Sequence, residues 1–288
     1  MKILLTGCNG QLGTDLRLVC DGVHEVIAHD TDLDITDRAA VCERVAEVRT
    51  DLLINSAAYN DVDGAETNEL TAYRVNALGP QNLALACQAT GVPLMHVSTD
   101  FVFNGEATAP YTEFDRPDPR SVYARSKYAG EQYVSGLLDR FYLVRTSWLF
   151  GTAGKNFVKT IIKRGREQTG VRVVDDQMGC PTYSRDLAAK LLEIAATGAY
   201  GYYHASNSGS CTWNRFARDI FILMGIKTRV YMISTKDLAR PAARPRYSVM
   251  RSLALEMQGI EPMRHYQEAL ADFLLRDLPA WEAGEVEV

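Results

Sequence analysis

Residues 2–13, KILLTGCNGQLG, join a short apolar run to three evenly spaced glycines, and the TDLRLVC segment that follows has the character of a helix. Gly7 permits a tight turn, Gly10 lets a ligand approach the backbone, and Gly13 lets helix and strand pack closely. The free N–H groups at the start of such a helix bind phosphate. This segment predicts a dinucleotide-binding fold, with the spacing G-x-x-G-x-x-G instead of the more usual G-x-G-x-x-G.

The alternation of apolar runs and helical segments continues from this turn to about residue 150. The runs HEVIAHD, DLLINSAA, PLMHVSTD and YLVRTSWLFG are predicted to be buried strands, with helical patterns between them. Alternating strands and helices form a parallel sheet covered on both faces, which binds ligands at the carboxyl ends of its strands. We therefore expect an α/β fold with a Rossmann-like, doubly wound parallel sheet.

Two helical segments in this region carry further detail. The segment DLDITD leads into a helix that Thr36 or Asp37 can cap. The stretch from residue 65 to residue 91 predicts a long helix that is interrupted near Gly79 and Pro80 and contains Asn76.

The pattern is less regular after residue 150. Short strands and helices alternate without a repeat, and an amphipathic helix closes the chain. We predict a dinucleotide-binding domain over residues 1–150. A smaller, mixed α/β substrate-binding lobe over residues 151–288 would follow it, with some segments, including the closing helix, returning to the body of the protein.

The composition excludes several classes of protein. The chain has 288 residues, 47% of them hydrophobic, and a net charge of −5, which argues against binding to nucleic acid or to a membrane surface. It contains no apolar run of about 18 residues and no signal-peptide pattern at MKILLTG, so we expect a cytoplasmic protein. The six cysteines form no C-x-x-C pair, which predicts reduced thiols and no zinc site.

Asp30 ends the second apolar run, seventeen positions after Gly13, roughly where an acidic residue reaches the adenosine ribose of a dinucleotide. Thr31 and Asp32 follow it where an arginine would bind a 2′-phosphate, although Arg38 could still do so. We expect NADH or NADPH as cofactor, with a slight preference for NADH. The residues that we predict to contact the cofactor are Gly7, Gly10, Gln11, Leu12, Gly13, Asp30, Asp34, Ile35, Ala57, Ala58, Tyr59, Asn76, Tyr123 and Lys127.

The segment SVYARSKYAGE, residues 121–131, supplies the chemistry. Tyr123 and Lys127 are four residues apart in a helical pattern, so their side chains project from the same face. A lysine ammonium beside a phenol favours the phenolate and is expected to lower the pKa of Tyr123 from about 10. The pair would form a tunable acid and base, and Thr99 lies at a strand end that can face it.

The glycine turn, Thr99, Tyr123 and Lys127 together resemble the extended short-chain dehydrogenase/reductase superfamily. The motifs STDFVF, RTSWLFG, NFV, DDQMGCPT and RPRYSV occur in the order and approximate spacing of the dTDP-4-dehydrorhamnose reductase family. The resemblance spans essentially the whole chain. It implies NAD(P)H-dependent reduction of the 4-keto group of a nucleotide-linked 6-deoxyhexose.

The resemblance also implies roles for individual residues. Tyr123 would protonate the developing alkoxide, Thr99 would hold the carbonyl oxygen, and Lys127 would bind the nicotinamide ribose. The basic segment RPAARPR, with Arg240, Arg244 and Arg246, could hold the substrate diphosphate. The residues that we predict to bind substrate are Thr99, Asp100, Trp148, Asn156 and Arg244.

The chain departs from the family at several positions. Phe101 and Ala124 stand where the family usually has tyrosine and glycine. Better-known members dimerise around magnesium held by glutamates, one of them near the position of Asp15. Arg185 stands where another ligand would be sought, so we predict no metal and either a monomer or a homodimer.

Two other functions fit the same residues. One is reduction or epimerisation of another nucleotide sugar, because the triad of Thr99, Tyr123 and Lys127 determines the chemistry without specifying the sugar. The other is a non-catalytic regulatory subunit that keeps the dinucleotide fold, which would have no need of an intact triad.

Overall fold

The computed structural model describes residues 1–283; residues 284–288, the end of the predicted second region, lie outside the described part. The strands are β1 (Lys2–Thr6), β2 (Glu25–His29), β3 (Leu52–Asn55), β4 (Leu94–Thr99), β5 (Phe141–Thr146), β6 (Leu149–Phe150), β7 (Gly170–Val174), β8 (Met178–Gly179), β9 (Thr182–Tyr183), β10 (Gly201–His204), β11 (Cys211–Thr212) and β12 (Arg229–Ile233).

The α-helices alternate with these strands in the first half of the chain and dominate the second half. They are α1 (Gln11–Cys20), α2 (Arg38–Val48), α3 (Val62–Ala65), α4 (Glu69–Tyr73), α5 (Gly79–Thr90), α6 (Val122–Leu137), α7 (Phe157–Glu167), α8 (Ser184–Thr197), α9 (Trp213–Leu223), α10 (Thr235–Leu238), α11 (Leu253–Met257), α12 (Tyr266–Arg276) and α13 (Leu278–Glu282).

Six strands form the main sheet in the order β10-β5-β4-β3-β1-β2, and every neighbouring pair is parallel. The order reverses between β1 and β3, so the loops after these strands diverge and leave a crevice at their carboxyl ends. The predicted parallel, doubly wound sheet is confirmed. It places the glycine turn, the end of β3 and Thr99 on one edge.

Both faces of the sheet are covered by helices. Ile3 and Leu5 of β1 point into a core with α1 and α8, whereas Leu4 between them points into a core with α2, α5 and α6. Successive residues of a strand point to opposite faces, so a run of apolar residues fills both layers. This explains why the first strands have continuous apolar sequences.

The glycine turn depends on two glycines in different ways. Gly7 has a left-handed φ of +73°, which strongly favours glycine. Gly13 has no unusual φ, but a Cβ there would lie 2.1 Å from the Gly7 carbonyl oxygen and 2.7 Å from the Cys8 Cα. Helix α1 can pack this closely on the turn only if residue 13 has no side chain.

The predicted long helix of residues 65–91 is divided into α4, a π-helical turn over Arg74–Leu78 and α5. The break falls next to Gly79 and Pro80, as predicted, because proline lacks the N–H that would continue the helix. The π-turn contains Asn76 and leaves it fully buried. Asp37 is the cap of α2 and accepts hydrogen bonds from the backbone N–H groups of Ala39 and Ala40.

A second core lies in the region after residue 150. Phe150, Ile161, Tyr183 and Phe216 are among its buried residues, and aromatic rings provide much of its volume. Three two-stranded sheets surround it: β12 with β7, β11 with β8 and β6 with β9.

Two segments from this region join the first domain. Strand β10 extends the main sheet beside β5, and α8 packs on α1. The apolar face of the closing helix α12, with Leu270 and Phe273, packs into the second core. Amphipathicity predicts that a face is buried but does not specify its partner.

All six cysteines are free thiols, as predicted. Within residues 1–283, no helix has both the length and the apolar character needed to cross a bilayer.

Candidate active site

Three cavities lie along the carboxyl edge of the main sheet and continue into the second lobe. The glycine-turn cavity, of about 510 Å³, runs over Gly7, Gly10 and the end of β2. The central cavity, of about 340 Å³, shares Gly10, Ser56, Ala58 and Asn60 with it. The lobe cavity, of about 320 Å³, shares Phe101, Trp148 and Trp213 with the central one. The three together can hold two elongated ligands that meet in the middle.

The predicted catalytic residues converge on the central cavity. Thr99 ends β4, and Tyr123 and Lys127 reach the cavity from the first two turns of α6. Ser121 caps this helix by accepting a hydrogen bond from the Ala124 N–H. Lys127 is only 3% exposed, and its ammonium group donates a 2.8 Å hydrogen bond to the Val97 carbonyl oxygen.

The electrostatics of this pair differ from the sequence-based prediction. Burial raises the pKa of Tyr123 to about 12, and this outweighs the lowering effect of the Thr99 hydroxyl. The prediction that Lys127 lowers the pKa of Tyr123 is therefore wrong, because desolvation acts more strongly and the ammonium is bound to the Val97 carbonyl. Burial also lowers the pKa of Lys127 to about 8, whereas nearby Glu131 raises it.

Asp100 adds a second acid to the cavity. Its carboxyl is buried, and this burial raises its pKa to about 7. One oxygen accepts a 3.1 Å hydrogen bond from the Thr99 hydroxyl, and the other, Oδ2, is buried without a partner. The Ser248 hydroxyl is close enough to lower the pKa of this carboxyl, an effect smaller than that of burial.

Two tryptophans form the wall between the central and lobe cavities. Trp148 has a left-handed φ of 45°, and its indole stacks on Trp213 with centroids 3.5 Å apart and planes at 6°. Gly179 makes room, since a Cβ there would lie 2.5 Å from the Trp148 ring. Sequence reasoning predicted Trp148 but missed Trp213, because a tryptophan at the start of a helix carries no motif signal. Lys155, at the exposed rim of the central cavity, was also missed.

The far end of the glycine-turn cavity is acidic. Asp30, Asp34 and Ile35, which we predicted to contact the cofactor, line it, and its lining contains no lysine, arginine or histidine. Asp30 accepts a 2.8 Å hydrogen bond from the Asn9 backbone N–H, which holds its carboxylate beside the glycine turn. Arg38 is not part of this lining.

The end of β3 is positioned by a residue that we predicted to contact the cofactor. Ala57 and Ala58 line the glycine-turn cavity, but Asn76 does not. The Asn76 side chain accepts from the Tyr59 N–H, donates to the Tyr59 carbonyl and donates to the Ser126 hydroxyl. It therefore clamps the loop after β3, and the Tyr59 side chain packs in the cluster that contains Tyr123.

Asn156 also has a role different from the predicted substrate contact. Its Oδ1 caps α7 by accepting from the Lys159 N–H, and its Nδ2 donates to Gln11 at 2.9 Å and to the Gly151 carbonyl. These bonds use the polar atoms of the side chain. Asn156 thus ties the glycine turn to the second lobe, while Gln11, Leu12 and Gly13 line the central cavity.

Arg244 lies at the edge of the lobe cavity, but its guanidinium is already paired with a carboxylate. Both of its terminal nitrogens donate to Asp63 in α3, at 2.8 and 2.9 Å. Arg240 donates to the same carboxylate at 2.9 Å, and these contacts hold the pKa of Asp63 well below its usual range. The predicted diphosphate clamp is therefore replaced by an ion pair between α3 and the arginine segment.

Two other arginines line the lobe cavity, Arg164 at the end of α7 and Arg172 in β7. Both are exposed, and neither makes an ion pair with another residue in the described part of the chain. They share the cavity with the aromatic side chains of Phe157 and Trp213. These two guanidinium groups have no carboxylate partner, so they can bind a phosphate group in this cavity.

At the position where the family's magnesium would be sought, the structure has an arginine. Arg185 donates to Asp15 at 3.4 Å and to Asp277 at 2.9 Å. In residues 1–283, no three His, Cys, Asp or Glu side chains are grouped so that they could hold a metal ion.

The comparisons with known proteins agree with this arrangement. The model of the family described as the RmlD substrate binding domain matches residues 1–278. The dTDP-4-dehydrorhamnose reductase of Streptomyces griseus is 43% identical, with 93% of this chain and 91% of the relative covered. A dTDP-4-keto-6-deoxy-D-glucose reductase of Streptomyces niveus is 39% identical, with 93% and 94% covered.

A solved structure gives the same result for the fold. The dTDP-4-dehydrorhamnose reductase of Bacillus anthracis in complex with NADP is 41% identical and superimposes with a TM-score of 0.93, covering 95% of this chain and 98% of that one. The family match runs from the glycine turn to the closing helix α12. The resemblance found in the motifs is thereby confirmed, and the chain belongs to the RmlD substrate binding domain family.

Proposed function

We propose that this protein is an NAD(P)H-dependent oxidoreductase that reduces the 4-keto group of dTDP-4-dehydro-6-deoxy-L-mannose (dTDP-4-dehydrorhamnose), giving dTDP-L-rhamnose. The observation that carries the proposal is the convergence of Thr99, Tyr123 and Lys127 on one cavity, between a glycine-turn cavity and an arginine-bearing lobe cavity. The dTDP-4-dehydrorhamnose reductases at 41–43% identity support it.

The glycine-turn and central cavities fit a nicotinamide dinucleotide. Gly10 faces open space, since the nearest atom to a Cβ there is the Gly7 carbonyl oxygen at 3.3 Å, so a pyrophosphate can approach the start of α1. Asp30 can accept hydrogen bonds from ribose hydroxyls, and Lys127 lies where it can donate to the nicotinamide ribose. When bound, the cofactor supplies the hydride.

Tyr123 serves as the proton donor in this reaction. Because burial raises the pKa of Tyr123 to about 12, the phenol keeps its proton at neutral pH. An alkoxide that develops at the substrate C4 oxygen is a stronger base than the phenolate and takes this proton. The Thr99 hydroxyl, which donates to Asp100 in the structure, turns to donate to the same oxygen, and the nearby Lys127 ammonium stabilises the phenolate that is left.

The remainder of the substrate lies beside the tryptophan wall and extends into the lobe cavity. Asp100 and Trp148, which both line the central cavity, contact the sugar ring. The aromatic side chains of the lobe cavity receive the nucleoside. We assign the diphosphate to Arg164 and Arg172 in preference to Arg244, which is paired with Asp63.

Stoichiometric consumption of NADH or NADPH with the 4-keto sugar nucleotide tests this function. A reductase oxidises one cofactor for each sugar reduced, whereas an epimerase regenerates its cofactor and a regulatory subunit consumes none. Loss of NADH absorbance together with formation of dTDP-L-rhamnose supports the proposal. The intact Thr99, Tyr123 and Lys127 set favours catalysis over a purely regulatory role.

A second candidate is reduction of a 4-keto sugar of different ring configuration. It is favoured by the 39% identity to the Streptomyces niveus enzyme, whose name gives dTDP-4-keto-6-deoxy-D-glucose as substrate. Comparison of kcat/KM for the two keto sugars decides between them. We expect the higher value for dTDP-4-dehydrorhamnose.

For the cofactor, we expect both NADH and NADPH to be used, with NADH at least as efficient. Asp30 and Asp34 repel a 2′-phosphate, and no cation in the cavity lining offsets them. Replacing Asp30 by alanine should raise kcat/KM for NADPH relative to NADH. A wild-type preference for NADPH greater than about tenfold, roughly 1.4 kcal/mol, would contradict the assignment.

The ion pair of Asp63 with Arg244 is expected to act as one structural tie. Arg244→Ala and Asp63→Ala should each weaken dTDP binding by a factor of about five to ten, near 1 kcal/mol, because either change releases the arginine segment. The double variant should be no weaker than either single one. Calorimetry with dTDP gives the three affinities. Tighter binding by Asp63→Ala would instead show that Arg244 binds the diphosphate directly.

We also propose that residues 151–288 provide most of the substrate-binding lobe and that the protein is a monomer or a homodimer. Within the chain, Arg185 bridges Asp15 and Asp277 at the position where a metal ligand of the family would be sought. The cytoplasmic location stays a prediction from the sequence.

A further inference from the structure

Glu131 is a buried carboxylate that the proposed reaction does not yet use. It lies one helical turn beyond Lys127 on α6, on the same face of the helix. It is 1% exposed, so an uncompensated charge would be strongly disfavoured at this position.

The carboxylate is held by donors from two strands of the main sheet. Oε1 accepts from the Ser98 hydroxyl of β4 at 2.5 Å and from Arg145 Nε of β5 at 3.0 Å. Oε2 accepts from Arg145 Nη2 at 2.7 Å. Ser98 immediately precedes Thr99, so these bonds connect the helix that carries Tyr123 and Lys127 to the strand that carries Thr99.

On the side of Arg145 away from Glu131, the hydrogen-bond network ends at a buried histidine. Arg145 is also buried and lies 3.5 Å from His204 Nε2, while His204 bonds to backbone carbonyls. Burial and the neighbouring Arg145 guanidinium lower the pKa of His204 to about 3, so this imidazole is neutral. Glu131 and Arg145 therefore form an ion pair to which the neighbouring imidazole adds no charge.

The surroundings of Lys127 contain few other charges. Tyr123 and Glu131 face it from α6, His96 and Asp100 from β4 and the turn that follows, and Arg145 lies beyond the carboxylate. The pKa of His96 is well below its ordinary value because of burial and the Lys127 charge, so His96 is neutral. Glu131 is the group that favours the ammonium form of Lys127.

We propose that Glu131 is a positioning residue for Lys127, fixed by Ser98 and Arg145, which keeps the lysine charged and in register with Thr99. A lysine as deeply buried as this one tends to lose its proton, and a fixed carboxylate one turn away opposes that loss. The role rests on the proposed function only in that the reaction uses Lys127 as an ammonium. The effect of Glu131 on the charge of Lys127 can be measured in the absence of cofactor and substrate.

The test is an NMR titration of the Lys127 side chain in protein labelled with ¹³C-lysine, its signal assigned through Lys127→Arg. Removal of a nearby negative charge makes the ammonium less favourable, so Glu131→Gln should move the Lys127 midpoint to lower pH by at least about half a unit. Glu131→Asp keeps the charge on a shorter side chain, and its midpoint should remain near that of wild type.

The comparison of these two variants separates charge from packing. Glutamine preserves the shape of the side chain and aspartate does not, so a purely structural role would give no shift in either titration. Because Glu131→Gln leaves Arg145 buried without a partner, the protein could fail to fold. The double variant Glu131→Gln/Arg145→Met removes both charges and should shift the midpoint in the same direction. An unchanged or raised midpoint in both glutamine variants would overturn the proposal.

A control variant and an activity measurement complete the design. Asp186→Asn removes the carboxylate from a different carboxylate–arginine pair, that of Asp186 with Arg264, and should leave the Lys127 midpoint unchanged. In the steady state, the alkaline limb of kcat/KM should shift with the midpoint in Glu131→Gln. If wild type has no reductase activity, the proposed function fails while the titration still decides the role of Glu131.

Discussion

Replacement of Tyr123 by phenylalanine is expected to lower kcat by a factor of about a hundred or more, because the reaction loses its proton donor. The cavity offers no equivalent replacement. Thr99 is a much weaker acid, and Asp100 is turned toward the Thr99 hydroxyl. The measurement is steady-state kinetics with saturating NADH and the 4-keto sugar nucleotide.

The affinity for NADH should change little in Tyr123→Phe, since the ring remains and only one hydroxyl is lost. Tyr128→Phe is the matched control, because Tyr128 lies on the same helix but packs in the cluster of Val102 and Phe103, away from the cavity. Turnover close to wild type in Tyr123→Phe would remove this phenol from the mechanism. A loss of activity in Tyr128→Phe would indicate damage to α6 instead.

Replacement of Gly13 by alanine is expected to destabilise the protein by roughly 3 kcal/mol, at the upper end of the cost of overpacking. The added Cβ would lie 2.1 Å from the Gly7 carbonyl oxygen and would also collide with the Cys8 backbone. Neither atom belongs to a flexible side chain that could move away. Helix α1 must therefore shift from the turn, which should also weaken NADH binding at least tenfold, about 1.4 kcal/mol.

Gly136 is a matched control for this substitution. It lies in α6, also within a helix, and a Cβ there meets nothing within 4 Å. Alanine is the better helix former by up to about 1 kcal/mol, so Gly136→Ala should stabilise the protein slightly. Urea denaturation of both variants gives the comparison. Equal effects at the two glycines would show that helix propensity, and not contact with the turn, determines the outcome.

The charges around the cavities suggest how the two lobes are held in register. Asp63 in α3 binds Arg240 and Arg244, which precede α11, and Gln11 at the start of α1 binds Asn156 at the start of α7. Both links border the cavities. A mutation in either link would therefore change substrate binding without touching a catalytic group.

The main architecture could be predicted from the sequence because its signals are local. The apolar runs and helical patterns before residue 150 determine strands and helices, and right-handed βαβ units of this kind form a parallel sheet. The glycine turn and the i, i+4 spacing of Tyr123 and Lys127 likewise depend on neighbouring residues only. The family motifs extended this prediction along the chain, and the family match confirmed it.

The partners of the polar side chains could not be predicted in the same way. Asp63 and Arg244 are separated by 181 positions, and Gln11 and Asn156 by 145, so no spacing rule connects them. For this reason the sequence suggested a phosphate clamp at Arg244 and a substrate contact at Asn156. In the folded protein, the polar atoms of Arg244 and Asn156 instead form hydrogen bonds with other protein groups.

By itself, the sequence determined that this protein has a dinucleotide-binding sheet with a Thr99, Tyr123 and Lys127 set at its edge. Only the tertiary structure decided the pKa values of Tyr123 and Lys127. It also showed that Trp213 forms part of the cavity wall. The physical reason is that periodicity specifies the face of a helix or strand on which a residue lies. Desolvation and pairing depend on what that face meets, and they set the pKa of Tyr123 and the charge of Lys127.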